Sequence, residues 1–429
     1  MQISVYFVLK QSFDFPVLHE GGIFMNFEGK LRLREVNADD FGAMRSKFVV
    51  VKNIIDELYD TSQMAMSRSQ LNHLMEHYYH LGELVDAYEI FGGYTNRSFG
   101  VIVRDENGDL HDYFVRKYKK EATAADIEIE HSLVEYAADH GMDEISTVIR
   151  TVDGKSYVQL EEEKEGKRIR RYFAVYTYLV GDDDYDWINT KMTPGEDREF
   201  AKMLAKFHDC VNGFNPGEKA EPKIMDMMDQ LPSFFVECNK LPGLEPTDRF
   251  DMLFRDIRED MIQYCKKVKE KITPEMLAGM PMCVCHCDAH PGNVKWDHGK
   301  CVGIFDFDWA KLDYRLFDIC YALMYACASW DAQTDGTLWL DRCGYFLDGY
   351  SKYLREHGTL STLTDSEKEA FPYMMLAACL YLVNWCTCYY EDFENLSEYE
   401  YFYYLAHTVK LIHYVDTHSE ELRKLAQQF

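Results

Sequence analysis

Three polar residues close together in the sequence point to one chemistry. Between Val284 and Ile319 the chain reads VCHCDAHPGNVKWDHGKCVGIFDFDWAKLDYRLFDI. Asp288 stands in a loop, Asn293 follows five residues later, and Asp306 ends an apolar strand. Phosphoryl transfer asks for that set. One carboxylate orients or deprotonates the accepting hydroxyl, and an amide with a second carboxylate holds magnesium on the phosphates.

The residues between them suggest how they are held. Pro281 to Cys285 reads as a short apolar strand, so Asp288 falls where strand gives way to loop. The turn Ala289-His290-Pro291-Gly292 carries Asn293 back towards it. Val302 to Phe305 reads as a second strand, with Asp306 offering a hard oxygen to magnesium. Strand alternation puts Asp308 on the same face, as a supporting carboxylate ranked below Asp306. Asp318 begins an apolar helix, and capping is its plain role. A rival set for zinc exists in Cys283, Cys285, Cys287, His286 and His290. Their Cys-x-Cys-x-Cys spacing departs from the usual Cys-x₂₋₄-Cys pairs, which disfavours it.

Upstream elements must bring a nucleotide to these acids. From Tyr88, YEIFGGYTNRSFGVIV reads as two strands about Gly92 and Gly93. Glycines let the backbone approach phosphate oxygens, and Asn96 and Ser98 can add donors. An Asn107-Gly108 turn leads to DYFVRKYKK, a further strand. Alternation places Val115 and Lys117 on one face and Phe114, Arg116 and Tyr118 on the other. Lys117 is then the phosphate lysine. A helix from Asp126 to His140, stopped by Gly141, carries Glu130 as its partner, while Glu128 and Glu135 are expected to be exposed. Strands at Ser156–Leu160 and Arg171–Leu179 flank a charged, solvated hairpin. The second strand leads to Gly181 as a hinge, where backbone groups of Tyr178 and Val180 could hydrogen-bond adenine.

After Gly181 the pattern is mostly helical. His208 lies on a predicted helix that starts near Thr193-Pro194, as a packed or capping histidine. An earlier helix is expected over Ser67–Leu84 from Leu71, Leu74, Met75 and Tyr78. These elements predict three regions: an N-terminal extension over 1–84, a nucleotide-binding sheet with one helix over 85–180, and a helical region with the catalytic loop over 181–429.

Composition sets the outer bounds. Hydrophobic residues make up 47% of 429, enough for a full core. The charge balance, 46 − 73 = −27, argues against nucleic acid or an anionic membrane as partner and is compatible with a cationic substrate. Thirteen scattered cysteines favour a reducing compartment, read as cytoplasmic. MQISVYFVLKQSFDF lacks a basic n-region, so no signal peptide is expected, and Met25 is an alternative start. Tyr373 to Tyr390 is uncharged and approaches membrane-spanning length. Its Asn384, Thr387 and four tyrosines favour a buried helix.

Several segments resemble one family: GGYTNRSFGV (92–101), FVRKY (114–118), EHSLVEYAADHG (130–141), HCDAHPGNV (286–294) and IFDFDWAKLDYRLFDIC (304–320). They resemble the aminoglycoside phosphotransferase and choline kinase-like family of small-molecule kinases. FLDGYSKY (346–353) and the helices around Trp385 look like its homoserine kinase-like branch. The resemblance implies an α+β, bilobal protein-kinase-like fold, with a small antiparallel-sheet N-lobe and a large, mostly helical C-lobe. It implies ATP and Mg²⁺ as cofactors and a small-molecule hydroxyl as acceptor. By position, Asp288 becomes the base within a His286-x-Asp motif, and Asn293 and Asp306 the magnesium ligands. Lys117 and Glu130 become the phosphate-binding pair, with Arg116 as the alternative register, and Asp318 braces the loop. Cys287 stands where the family usually has glycine. A nucleotide-binding regulator without catalysis and a Ser/Thr protein kinase are the rival functions. DFDWAKLDYRLFDI runs straight into helix and leaves no activation segment. For an amine-bearing acceptor, Trp330, Trp385, Tyr389 and Tyr390 offer aromatic faces and Glu391, Asp392, Glu394, Glu398 and Glu400 offer carboxylates.

Overall fold

The computed structural model describes residues 66–90, 96–119, 121–164, 167–217, 222–238, 249–389 and 398–429. Gly92, Gly93, Met25, Tyr390, Glu391, Asp392 and Glu394 lie outside them, as do the side chains of Tyr389, Glu398 and Glu400. The chain divides into two compact units. The first runs to residue 122 and includes 149–178; the second holds 123–148 and 179–429.

The first unit is a helical turn packed on a sheet. Helix α1 (Arg68–His73) starts at Ser67, whose side chain and Gln70 cap each other reciprocally. It continues as a π-helical stretch to Tyr79 and stops at His80, in the left-handed region. The helix expected to reach Leu84 is therefore shorter, because strand β1 (Glu83–Ile90) takes up the chain. β1 pairs with β2 (Arg97–Arg104), and β2 with β3 (Leu110–Lys117), all antiparallel.

Helix α2 (Ala124–Asp139), in the second unit, and strand β4 (Val148–Ile149) follow, then β5 (Val158–Lys164) and β6 (Lys167–Thr177). The sheet order is β1-β2-β3-β6-β4, with β5 on β6. The charged run read as a hairpin extends the β5–β6 ladder, pairing Glu161 with Arg170. One sheet face presents Phe99, Val101, Val115, Phe173 and Val175, and buries Leu71, Leu74, Met75 and Tyr79. Residues 68–84 thus belong to the sheet unit. Each such side chain removed from water contributes roughly 1.5–3 kcal/mol.

The second unit is mostly helical. Helix α3 (Pro194–Cys210) opens with a Thr193–Glu196 capping box. Helices α4 (Ile224–Cys238), α5 (Arg249–Lys271) and α6 (Pro274–Ala278) follow. Four short strands then form two ladders: β7 (Met282–Cys285) pairs with β10 (Lys311–Tyr314), and β8 (Val294–Asp297) with β9 (Lys300–Ile304). Helix α7 (Arg315–Ala326) continues directly from β10, and every one of its residues is buried.

Helices α8 (Leu340–His357), α9 (Asp365–Tyr389), α10 (Glu398–Thr417) and α11 (Ser419–Ala426) complete the unit. At Gly349, α8 approaches α3 so closely that a Cβ would lie 2.5 Å from the Arg198 carbonyl oxygen. α9 is long and apolar enough to cross a membrane by composition, yet 78% of its apolar window is buried within the protein. It is a core helix. Buried ion pairs orient these helices: Arg315 holds Glu367 at 2.8 and 2.7 Å, and Arg342 holds Asp197 at 3.0 and 2.7 Å.

Candidate active site

The candidate site grows from the end of β7. Cys287 sits in the left-handed region, at φ 63°. Glycine adopts that conformation without a Cβ penalty, which accounts for its place in the resembling family. Here the backbone is held instead. Asp318, on α7, accepts the Cys287 amide at 2.9 Å and the His286 amide at 2.7 Å. The Cys287 amide takes Oδ1 and the His286 amide Oδ2, which His208 Nε2 on α3 also meets at 2.9 Å. Tyr350 Oη on α8 meets His208 Nδ1 at 2.7 Å. Tyr314 is the N-cap of α7, so Asp318 does not cap it. Burial disfavours its ionisation, but the His208 hydrogen bond and charge outweigh burial and hold its carboxyl below the usual range.

The turn after Asp288 closes on itself. His290 Nδ1 accepts the Gly292 amide at 3.1 Å, and Pro291–Asn293 form one 3-10 turn. Asn293 Nδ2 donates to the Asp288 carbonyl at 2.8 Å and to Asp288 Oδ2 at 3.1 Å. With its nitrogen spent on Asp288, Asn293 has its Oδ1 left as the atom that could hold a metal. The Phe305 amide donates to the Asn293 carbonyl at 3.1 Å, which brings the end of β9 to the same place. His286 spans the two segments. Its Nε2 donates to the Phe305 carbonyl at 2.9 Å, and its Nδ1 accepts the Asp288 amide at 3.3 Å. That arrangement needs a neutral ring, and burial lowers its pKa accordingly. Asp306 follows Phe305 with φ 73°, a strained conformation for a non-glycine residue.

The Asp288 side chain is 24% exposed. Its pKa stands well above the carboxylate range, raised by burial and then by the charges of Asp306 and Asp308. Hydrogen bonds from Asn293 and Tyr321 act the other way. Sequence reasoning missed Tyr321, whose Oη donates to Asp288 Oδ1 at 3.2 Å. Its signal was the i, i+3 spacing from Asp318 on one helix face. His208 carried no such signal. His290 Nε2 lies 3.8 Å from Asp288 Oδ2, and burial pushes its pKa down to about 3, so the ring stays neutral.

The sulfur-rich zinc set does not assemble as the sequence suggested. Among the described residues, Cys283 and Cys285 gather with His208, not with His286 and His290. Both His208 nitrogens already serve Tyr350 and Asp318, which leaves the ring no lone pair for a metal.

In the first unit, cross-strand register separates two residues expected to act together. Ser98 pairs with Arg116, whereas Lys117 pairs with Arg97 and Phe173. Lys117 therefore shares the face of Val115, Phe173 and the core, with its Nζ 5.7 Å from the centre of the Phe173 ring. Ser98 shares the opposite face with Arg116, which lies among the Phe114, Tyr118 and Tyr176 rings at 5.7–5.9 Å. Alternation gave the two faces; α1 packs on the one that carries Val115, and Lys117 and Arg116 are both buried. Asn96 is buried and its Oδ1 accepts the Lys119 amide at 3.0 Å.

Tyr178 ends the first unit, its Oη accepting from Tyr88 Oη at 3.1 Å, while Val180 in the second is 80% exposed. Glu130 is buried on α2, Glu128 is exposed and Glu135 is half-buried. Trp330 and Trp385 both meet Tyr404 at 6.2 Å, and Trp187 meets it at 5.7 Å.

Known proteins resemble this chain in sequence and fold. A family model described as the phosphotransferase enzyme family matches residues 88–354. A homoserine kinase of Phenylobacterium zucineum is 22% identical over 279 residues, 62% of this chain and 70% of that kinase. A spectinomycin phosphotransferase, solved with ADP and spectinomycin, shares the fold at a TM-score of 0.54 and 17% identity, covering 82% of this chain and 99% of its own. The ethanolamine kinase of Plasmodium vivax does so at 0.54 and 15%, covering 88% and 96%. The architecture is thus the α+β, protein-kinase-like fold of phosphotransferases that act on alcohols. With the family model spanning more than half of it, this chain belongs to the phosphotransferase enzyme family.

Proposed function

We propose that this enzyme transfers the γ-phosphoryl group of magnesium–ATP to the hydroxyl of a small, amine-bearing alcohol. The observation that carries the reading is the Asn293 amide, fixed by two hydrogen bonds to Asp288 so that its oxygen faces away from the base. The donor set suits magnesium: Asn293 and Asp306 supply hard oxygens. Asp306 and Asp308 also crowd Asp288 electrostatically, and a divalent cation would offset that repulsion. Magnesium, when bound, neutralises charge on the phosphates.

Asp288 then orients the acceptor. The hydroxyl oxygen bonds to the γ-phosphorus, the bond from that phosphorus to the β–γ bridging oxygen breaks, and ADP leaves. The hydroxyl proton passes to Asp288 as the general base. Asp318 and His286 keep the loop in place while this happens. The net charge of −27 is compatible with an ammonium-bearing acceptor. Free buried thiols at Cys283, Cys285 and Cys287 support a reducing, cytoplasmic setting.

The test is ADP release from magnesium–ATP across ethanolamine, homoserine, spectinomycin and neutral sugars. At least one amine-bearing alcohol is expected to turn over faster than every sugar. Turnover of sugars alone would remove the amine, and turnover of none above the water background would remove the acceptor class.

For the nucleotide phosphates we assign Arg116 in place of Lys117, because it shares the Ser98 face. Arg116→Met is expected to raise KM for ATP about tenfold or more, the worth of one charge-assisted hydrogen bond. Lys117→Met should leave that KM within about twofold, as the loss of a contact outside the site does. The reverse pattern would restore Lys117.

A further inference from the structure

We infer that Tyr321 is a positioning residue for the base, its hydroxyl serving the orientation of Asp288 in the reaction proposed above. The carboxylate of Asp288 is tied at both ends by different parts of the protein. Its Oδ2 accepts from Asn293 Nδ2 at 3.1 Å, within its own loop. Its Oδ1 accepts from Tyr321 Oη at 3.2 Å, from α7. The same helix already grips this loop through Asp318, which accepts the His286 and Cys287 amides. Residues 318 and 321 are neighbours on one helix face, so a single turn holds the loop backbone and the base together.

The hydroxyl also meets that of Tyr325, but the ring contacts do not need it. The Tyr321 ring meets Phe317 at 6.0 Å, Tyr325 at 5.2 Å and Tyr381 at 5.8 Å, and a phenylalanine would make the same contacts. The hydroxyl serves orientation. Asn293 and Tyr321 hold the two Asp288 oxygens from different elements, and without the tyrosine hydroxyl Oδ1 loses that tether. Rotation of the base displaces the hydroxyl it orients, and a misplacement near 1 Å costs about a hundredfold in rate. Tyr321 therefore acts through Asp288 and touches neither reacting atom.

The experiment uses Tyr321→Phe in the full chain, with ADP release from magnesium–ATP measured for ethanolamine, homoserine and water as acceptors. Water makes the readout independent of the natural alcohol. The expected result is a fall in kcat of about 10- to 100-fold, on the scale of a misplaced reactive group, with KM for ATP and the thermal midpoint essentially unchanged. In the double variant with Asp288→Ala, the tyrosine change should add no further loss, because its partner is gone.

An unchanged kcat would overturn the assignment. So would a loss of rate matched by a fall in thermal midpoint, or losses that add in the double variant. Wild-type turnover by Asp288→Ala alone would instead sink the base assignment. A silent Tyr321→Phe beside a dead Asp288→Ala sinks only the positioning role.

Discussion

Asp288→Ala is expected to lower phosphoryl transfer by about 10²- to 10⁴-fold, the range for loss of a general base, while ATP binding persists. The substitution removes the only group given a proton-accepting role and leaves both proposed metal ligands. The fold should tolerate it. Burial and the charges of Asp306 and Asp308 disfavour a carboxylate at this position, and alanine ends that cost. What it orphans is one Asn293 donor and the Tyr321 hydroxyl, both beside the partly exposed position of Asp288. Steady-state turnover and ATP titration by calorimetry check the two halves separately. A variant that loses nucleotide binding along with turnover would place Asp288 among the ligands instead.

Asp318→Ala is expected to cost about 3–5 kcal/mol of stability, the scale for removing one partner of a buried charged network. Two backbone amides and the His208 imidazole would lose a fully buried acceptor. Each unsatisfied donor alone costs about 1–3 kcal/mol. Turnover should fall as well, because the amides released belong to the two residues before Asp288. Urea unfolding checks the first claim through a lower midpoint at unchanged slope. A midpoint near wild type would mean that the loop is held by β7 and the 3-10 turn without the brace.

The site was legible where its chemistry is local. Asp288, Asn293 and Asp306 lie within one short stretch, and the hydrogen bond from Asn293 to Asp288 closes a five-residue loop. Strand alternation also placed Lys117 and Arg116 on opposite faces correctly. Which face meets α1 was set by that helix, docked on the sheet from far earlier in the chain, and no local pattern reports that docking.

For Asp318 the resemblance implied a brace on the loop, and it accepts the His286 and Cys287 amides as such a brace would, whereas the local reading of this residue fell short. Its position near a helix start suggested a cap, but α7 begins at Arg315 and the carboxylate turns to amides 31 and 32 residues away. His208 is a further 110 residues from its partner Asp318. Tyr321 belongs to no motif, and its role depends on the chain returning Asp288 to α7. For α9, composition left two environments open, and burial decided between them.

The most direct measurement is product formation from magnesium–ATP and the alcohol panel, followed by phosphorus NMR. Phosphoryl transfer requires one phosphomonoester for each ADP in the wild-type enzyme, and almost none in Asp288→Ala at saturating ATP. ATP bound without a phosphomonoester from any alcohol, or product from Asp288→Ala at the wild-type rate, would contradict it.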